Sequence, residues 1–571
     1  MDLNFNIGGV AGQGIDTIGD LLAQLFVGAC FYTHTIKSYR SRIRGGYNYT
    51  QVRVSSEPVY APVDEIDIVI ALVKEGITRQ RDQLVDGGVI IFDKSIEFED
   101  MESCHFPAPL KETAEEVGGS EKMTNVAAVG TLLSVLNFPF SMIEDALSVV
   151  FKKKGDNIIQ KNIDVAKSLY EYTQKEFKSK CRHDLTDAEK GACRDWLLLN
   201  GNEGLAFGAM AAGLKWISAY PMSPSTSVFQ TIMQSAQELE IGALQTEDEI
   251  AAINMAIGAS YAGARTMVTT SGGGFSLMVE GLGLAAMTET PIVIYDAQRG
   301  GPSTGLPTRT EQSDLMFLLF ASQGEFPRVM FAPKDPQEGF EVAIRAFNLA
   351  DRFQIPALIL GDQHFADSIL NIEHLDVSNV EIDRGKIAPD DIEDYKRYEL
   401  TEDGISPRAF PGDKGKVVVS TGNAHLEDGH VTEDPIVRKA MVEKFLKKTP
   451  QILEEMQEPR IFGPEDAKTT LMTWGSTWGA AYEAMKILSS NGMSINQLHF
   501  CDVYPLRDET LRTIFDTADQ IISVEQNSTS LFAKLVRMET GLAVHHEVNK
   551  YDARPMTARW IMKQLKEAGI E

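Results

Sequence analysis

The sequence predicts a multidomain α/β protein whose middle portion is a doubly wound parallel sheet. Three observations predict it. Short β-branched runs alternate with helical patterns along most of the chain, as in "EIDIVIALV" and "TPIVIYD". Glycine- and proline-rich turns fall where a run ends and a helix begins, as in "GGVAGQG" and "YPMSPST". A length of 571 residues suits roughly three or four domains, and alternation of this kind builds sheets covered by helices.

Composition narrows the function classes. A net charge of −27 argues against nucleic acid or an anionic membrane as the main partner, because both require a positive face. The opening "MDLNFNIGGVAGQG" lacks a basic segment followed by an apolar run, and no apolar stretch approaches the length needed to cross a bilayer. A cytoplasmic chain is expected. The cysteines, Cys30, Cys104, Cys181, Cys193 and Cys501, are scattered, with no C-x-x-C pair and no His at a spacing that suggests a zinc or iron–sulfur cradle. Buried free thiols in a reducing compartment are expected, with no metal or iron–sulfur cradle on this chain.

Residues 1–194 open "LNFNIGGVAGQGIDTIGDLLAQLFVGA", an apolar strand, a glycine turn at Gly12 and Gly14, and a helix of period near 3.6. "EIDIVIALV" and "GGVIIFD" add strands of a parallel layer, and a charged helical stretch leads to the end of the segment. The turn is similar to a dinucleotide loop but has Thr17 where the last glycine of G-x-G-x-x-G belongs, so NAD or FAD is not expected. The run "KSYRSRIRGG" places Lys37, Arg40, Arg42 and Arg44 in an acidic protein. It reads either as a solvated basic loop or as a local anion site.

Residues 195–370 hold six candidate strands, "KWISAY", "IGALQT", "ARTMVTTS", "TPIVIYD", "RVMFAP" and "IPALILGD". Residues 371–465 are acidic and Pro- and Asp-containing, an irregular crossover with one clear helix that Asp434 caps, Pro435 opens and lysines close. Residues 466–571 form a third α/β unit with strands in "TTLMTW", "SINQLHFCDVYPL" and "DQIISVEQN".

Ligands of open α/β sheets bind outside the carboxyl ends of the strands. Four consecutive strand ends carry suitable chemistry. "YPMSPST" stiffens a turn with Pro221 and exposes the Ser223 hydroxyl, although the same stretch also suits a plain turn with Ser225 or Thr226 as helix cap. "LQTEDEIAAINMAIGASYAGA" opens a small-residue helix with Glu247, Asp248 and Glu249, acids that the helix dipole alone would favour. "TTSGGGFSLM" offers close backbone approach at Gly273 and its neighbours. "DAQRGGPSTGLPTRTEQSDL" puts Arg299, Thr304, Thr308 and Arg309 in a stiff loop suited to a carboxylate or phosphate.

Taken in order, "YPMSPST", "QTEDEIAAI", "TTSGGGFSLM" and "RGGPSTGLPTRTEQSDL" closely resemble the alpha chain of 2-oxoacid:ferredoxin oxidoreductases. The first segment resembles that family's gamma domain fused ahead of alpha, the second its thiamine-enzyme pyrimidine-binding domain, and the last its transketolase-C-terminal-like domain. The resemblance implies thiamine diphosphate with Mg2+, shared with a beta subunit. Glu249 would bond the aminopyrimidine nitrogen, with Pro221 and Gly273 beside the cofactor. Ser223 and Arg299 would hold the substrate carboxylate and carbonyl, with Thr308 and Thr304 lining the pocket. Ser223 replaces the family's usual threonine, and Ser530 and Leu531 stand where it often has Gly-Gln. The third domain is expected to serve assembly and packing.

This chain lacks both the G-D-G…N-N motif that binds magnesium and diphosphate and a cysteine set for a [4Fe–4S] cluster. The resemblance places both on the beta subunit, with ferredoxin as acceptor, coenzyme A as acyl acceptor, and a dimer of alpha-beta heterodimers as assembly. Gly12, Gly14, Lys37, Arg40 and Arg42 would contact coenzyme A. The loop and fused layout look most like the 2-oxoglutarate type, with pyruvate or a branched 2-oxoacid as the alternative. Readings of other classes are a transketolase-like enzyme without ferredoxin and a non-catalytic coenzyme A-binding scaffold.

Overall fold

The central strands of the middle sheet are buried on both faces and so read as continuous apolar runs, as parallel strands covered by helices do. The computed structural model describes residues 1–39, 46–98, 104–177, 184–188 and 196–570. It divides into two compact units: Met1–Leu199 with Ser368–His374 and Thr557–Trp560, and Asn200–Asp367 with Leu375–Met556 and the chain from Ile561.

The first unit is built on an eight-stranded sheet ordered His105–Ala108, Leu84–Asp93, Ile66–Ala71, Asp2–Val10, Tyr47–Ser55, Tyr32–Ser38, Ile369–Ile372, Leu197–Asn200. The sheet is mixed, not the parallel layer expected. Asp2–Val10 runs parallel to Ile66–Ala71 but antiparallel to Tyr47–Ser55, which pairs antiparallel with Tyr32–Ser38. The antiparallel ribbon is hard to read because its strands are polar. Arg53 is only 7 % exposed, and burial is tolerated because its guanidinium donates to Asp2 at 2.7 Å and to the Ala61 carbonyl at 2.7 Å. The glycine turn leads into helix Ile15–Gly28. Gly14 has φ 72°, and a Cβ there would overlap the Asn125 amide. The close helix–strand packing that Thr17 does not provide comes from Gly19, where a Cβ would lie 2.5 Å from Thr50 Cγ2.

The second unit holds two sheets. Seven strands run in the order Asp502–Tyr504, Val329–Phe331, Pro356–Asp362, Ile292–Gln298, Thr266–Thr270, Trp216–Ala219, Gly242–Gln245. All are parallel except the edge strand Asp502–Tyr504, which pairs antiparallel with Val329–Phe331 and therefore leaves the third α/β unit to which its sequence neighbours belong. Helices Glu249–Tyr261 and Gly272–Met287 contribute Ile253, Ala256, Phe275 and Met278 to one core layer. Helices Gly201–Ala211, Thr226–Ser235 and Pro336–Phe353 contribute Leu205, Ile232 and Ala343 to the other. Five strands, Arg460–Phe462, Ile495–Phe500, Thr469–Trp474, Gln520–Glu525 and His546–Asn549, form the carboxyl-terminal sheet.

The crossover contains helix Pro435–Glu455, capped by Asp434, which accepts from the N–H groups of Ile436 and Val437. It does not end at its lysines but continues with Pro450 inside it. Two lysines of this helix, Lys444 and Lys448, are buried while Lys447 is exposed. Lys444 and Lys448 both bond Glu289, the latter at 2.5 Å, and all three side chains are 1 % exposed. Burial pushes the Glu289 carboxyl up, but Lys448, Lys444 and Arg397 outweigh it and hold it well below the usual carboxylate range. Burial lowers Lys444 to about 8, partly offset by Glu289. Among the cysteines, Cys30 is disulfide-bonded, and Cys104 and Cys501 are half-buried and outside any disulfide, which corrects the expectation of buried free thiols throughout. No helix among the described residues is long and apolar enough to cross a membrane.

Glu289→Gln removes the only carboxylate this lysine pair bonds among the described residues, and is expected to cost about 3–5 kcal/mol in denaturant unfolding at neutral pH. A depressed carboxylate stabilises fully above its unfolded pKa and loses that contribution as pH falls. The difference from wild type should therefore shrink below pH 4.5, the unfolded value. An unchanged unfolding midpoint at neutral pH would contradict this reading of the cluster.

Candidate active site

The carboxyl ends of the central strands gather the residues singled out by sequence. Asp248 caps helix Glu249–Tyr261 by accepting from the Ala251 N–H at 2.7 Å. That cap turns the next residue, Glu249, inward, where it is 4 % exposed. Its carboxylate has no hydrogen-bond or ion-pair partner among the described residues. It is packed instead against the start of helix Gly272–Met287. A Cβ on Gly274 would lie 2.6 Å from Glu249 Oε1 and would overlap the Thr270 hydroxyl, and one on Gly272 would overlap the Asp314 carboxylate. Two glycines are thus required by close approach. Gly273, the one sequence reasoning favoured, is exposed, and a Cβ there would meet only the Ser303 carbonyl at 3.7 Å.

Strand Ile292–Gln298 delivers Arg299, whose Nη1 donates to the Ser223 carbonyl at 2.6 Å. This bond joins the arginine loop to the proline turn. The Ser223–Pro224 and Gly301–Pro302 peptides are cis. Neither Ser225 nor Thr226 caps the following helix with its side chain; the Ser225 hydroxyl donates back to the Met222 carbonyl at 2.8 Å, so the turn is tied to itself. Within the arginine loop, the Leu306 N–H donates to the Gly300 carbonyl at 2.7 Å and the Gly300 N–H to the Arg309 carbonyl at 3.4 Å. The fold of the loop buries Thr308 and leaves Thr304, like Pro221 and Ser223, exposed.

Two acids that the sequence reading passed over sit beside Arg299. Asp296 is fully buried and neither of its carboxyl oxygens has a hydrogen bond. Burial, then the Asp314 charge, raises it well above the ordinary range. Asp314 is pushed up to about 6 by burial and then by Glu311. Burial lowers the Arg299 guanidinium, partly offset by Asp296 and Asp314. The only sequence signal was the aspartate of "DAQR" near a strand end, which does not reveal its burial.

Gly12, Gly14 and Lys37 lie in the first unit, and Lys37 pairs with Asp20 at 3.1 Å. Arg40, Arg42 and Arg44 fall outside the described residues.

Comparison with known proteins decides the family. The model for pyruvate flavodoxin/ferredoxin oxidoreductase, thiamine diphosphate-binding, matches residues 207–444, and that for pyruvate ferredoxin/flavodoxin oxidoreductase matches residues 4–172. A 2-oxoacid:ferredoxin oxidoreductase subunit alpha of a Sulfolobus species is 32% identical over 100% of this chain and 97% of its own. The chain belongs to this alpha-subunit family. A 2-oxoglutarate synthase subunit KorA of Methanothermobacter thermautotrophicus is 32% identical over 60% of this chain and 91% of its own. The 2-oxoglutarate:ferredoxin oxidoreductase of Magnetococcus marinus, solved with 2-oxoglutarate, coenzyme A and succinyl-CoA, superposes with TM-score 0.92 at 31% identity over 99% of both chains. As a 2-oxoacid:ferredoxin oxidoreductase subunit the chain is part of an oxidoreductase enzyme and of a multi-subunit complex, and it carries a thiamine diphosphate-binding domain.

Gly274→Ala should displace the Glu249 carboxylate, so 2-oxoacid-dependent dye reduction by the complex is expected to fall about a hundredfold or more, with the variant still folded by circular dichroism. Wild-type turnover in Gly274→Ala would contradict the packing of Glu249 against that helix.

Proposed function

We propose that this chain is the gamma-fused alpha subunit of a 2-oxoglutarate:ferredoxin oxidoreductase. With a beta subunit that carries the magnesium–diphosphate site and a [4Fe–4S] cluster, it converts a 2-oxoacid and coenzyme A to acyl-CoA and carbon dioxide, passing electrons to ferredoxin. The observation that carries the proposal is the buried, unpartnered Glu249 beside Gly274, with Arg299 and a hydroxyl turn at neighbouring strand ends. A carboxylate without a donor fits a heterocycle that brings one, and the missing Cβ of Gly274 is what lets that carboxylate lie against the helix start.

Thiamine diphosphate, when bound, supplies the carbon nucleophile and electron sink for decarboxylation. Glu249 would hold the proton shared with the cofactor's aminopyrimidine nitrogen. Pro221 and Gly273 shape the approach to that ring. Arg299 and the Ser223 hydroxyl orient the substrate carboxylate and carbonyl, with Thr308 and Thr304 on the loop beside them. The Asp314 carboxylate near Arg299 tempers the pull of the guanidinium, since a substrate carboxylate held too firmly in the ground state leaves more slowly. Gly12, Gly14, Lys37, Arg40 and Arg42 are the candidates for coenzyme A. The 2-oxoglutarate choice rests on the Magnetococcus marinus enzyme and on the KorA relatives.

The test is the complex recovered anaerobically through a tag on this chain, assayed for viologen reduction with coenzyme A and a panel of 2-oxoacids. We expect kcat/KM for 2-oxoglutarate to exceed that for pyruvate and branched acids by about tenfold or more. Preference for pyruvate or a branched acid would overturn the substrate and keep the chemistry; no coenzyme A-dependent reduction with any of them would overturn both. Glu249→Ala should lose about 10²–10⁴ in kcat with subunit assembly intact by size-exclusion chromatography.

A further inference from the structure

Gln312 closes the arginine loop, and every polar atom it has is bonded outside that loop. Its backbone N–H donates to the Gln526 carbonyl at 2.8 Å, and its side-chain oxygen accepts from the Gln526 N–H at 3.2 Å. Its own carbonyl accepts from Asn527 Nδ2 at 3.2 Å. Its Nε2 donates to the Trp474 carbonyl at 3.1 Å and to Asp362 at 3.4 Å. Asp362, at the end of strand Pro356–Asp362, accepts also from Thr310 at 3.2 Å, from the Phe365 N–H at 2.9 Å, and from the Ser476 hydroxyl. Gln312 and Asp362 are 1% and 2% exposed. A bond lost here leaves a buried polar group unpaired, so the network resists displacement.

Trp474, Ser476, Gln526 and Asn527 lie on the carboxyl-terminal sheet and its turns, while Thr310 and Gln312 directly follow Thr308 and Arg309 in the chain. We propose that Gln312 and Asp362 form a clamp through which the carboxyl-terminal sheet fixes the Thr308–Arg309 end of the loop, and with it Thr308 in the 2-oxoacid pocket. That sheet then positions substrate in addition to packing, beyond the assembly role its sequence suggests. Displacement would also reach Arg299, because the Arg309 carbonyl accepts from the Gly300 N–H. The inference rests on the assignment of Arg299 and Thr308 to the substrate.

The test uses the complex purified through this chain, with KM for 2-oxoglutarate measured at saturating coenzyme A, the converse measurement, and thermal unfolding. The variants are Gln312→Met, which keeps length without hydrogen bonds; Ser476→Ala, which removes one clamp bond at the far side; and Thr308→Ala as reference. Gln312→Met is expected to raise KM for the 2-oxoacid about tenfold, with KM for coenzyme A within about twofold of wild type. Ser476→Ala should raise KM for the 2-oxoacid about threefold, and it decides the matter should Gln312→Met not fold. A lowered Tm with KM unchanged in both would overturn the clamp, leaving a structural network only. If Thr308→Ala raises KM while the other two do not, the clamp alone fails; if Thr308→Ala also leaves KM unchanged, the substrate assignment fails with it.

Discussion

A carboxylate that is buried and unpartnered must have a neighbour small enough to leave it room. In this protein that constraint falls on Gly274, at the start of the helix beside Glu249. The same helix start must accept Asp314 at Gly272. Two acids are therefore brought against one helix amino terminus, where the backbone dipole favours negative charge and offsets part of the cost of burying it. The sheet order places the strand that carries Arg299 directly beside the strand that leads into those glycines. Positive and negative groups consequently meet at one edge of one sheet.

Around that edge polar contacts tie the loops to one another and to the second sheet. Arg299 ties the arginine loop to the proline turn, and Gln312 and Asp362 tie its far end to the carboxyl-terminal sheet. Further away, Glu289 anchors the long crossover helix through two lysines, and Asp351 accepts from Arg265 at 2.9 Å and Arg408 at 2.9 Å. Networks of this kind contribute little net stability against an apolar core but penalise any alternative geometry. A site that has to hold reacting groups within fractions of an ångström gains from that stiffness.

Much of the site was legible in the sequence because its signals are local. Prolines in "YPMSPST", three glycines in "TTSGGGFS" and the stiff arginine loop each declare a turn by residue type, and their order along alternating strands declares one sheet edge. What was not legible depends on pairing. Ile369–Ile372 follows the middle sheet in sequence yet joins the first sheet, and Asp502–Tyr504 leaves its neighbours for the middle sheet's edge; no local pattern encodes which edge a three- or four-residue strand will find. Three consecutive glycines likewise cannot tell which of them faces a carboxylate. Asp296 was overlooked because a lone acid at a strand end reads as solvated until burial is known. The clamp at Gln312 was invisible because its partners lie on a different sheet, more than two hundred residues away in sequence for Gln526 and Asn527.

The most direct measurement is an experimental structure of the complex recovered with this chain, trapped anaerobically with thiamine diphosphate and 2-oxoglutarate. The account predicts the aminopyrimidine nitrogen within hydrogen-bond distance of the Glu249 carboxylate and the substrate carboxylate within hydrogen-bond distance of the Arg299 guanidinium. A cofactor ring bonded elsewhere, with Glu249 still buried and unpartnered, would contradict it.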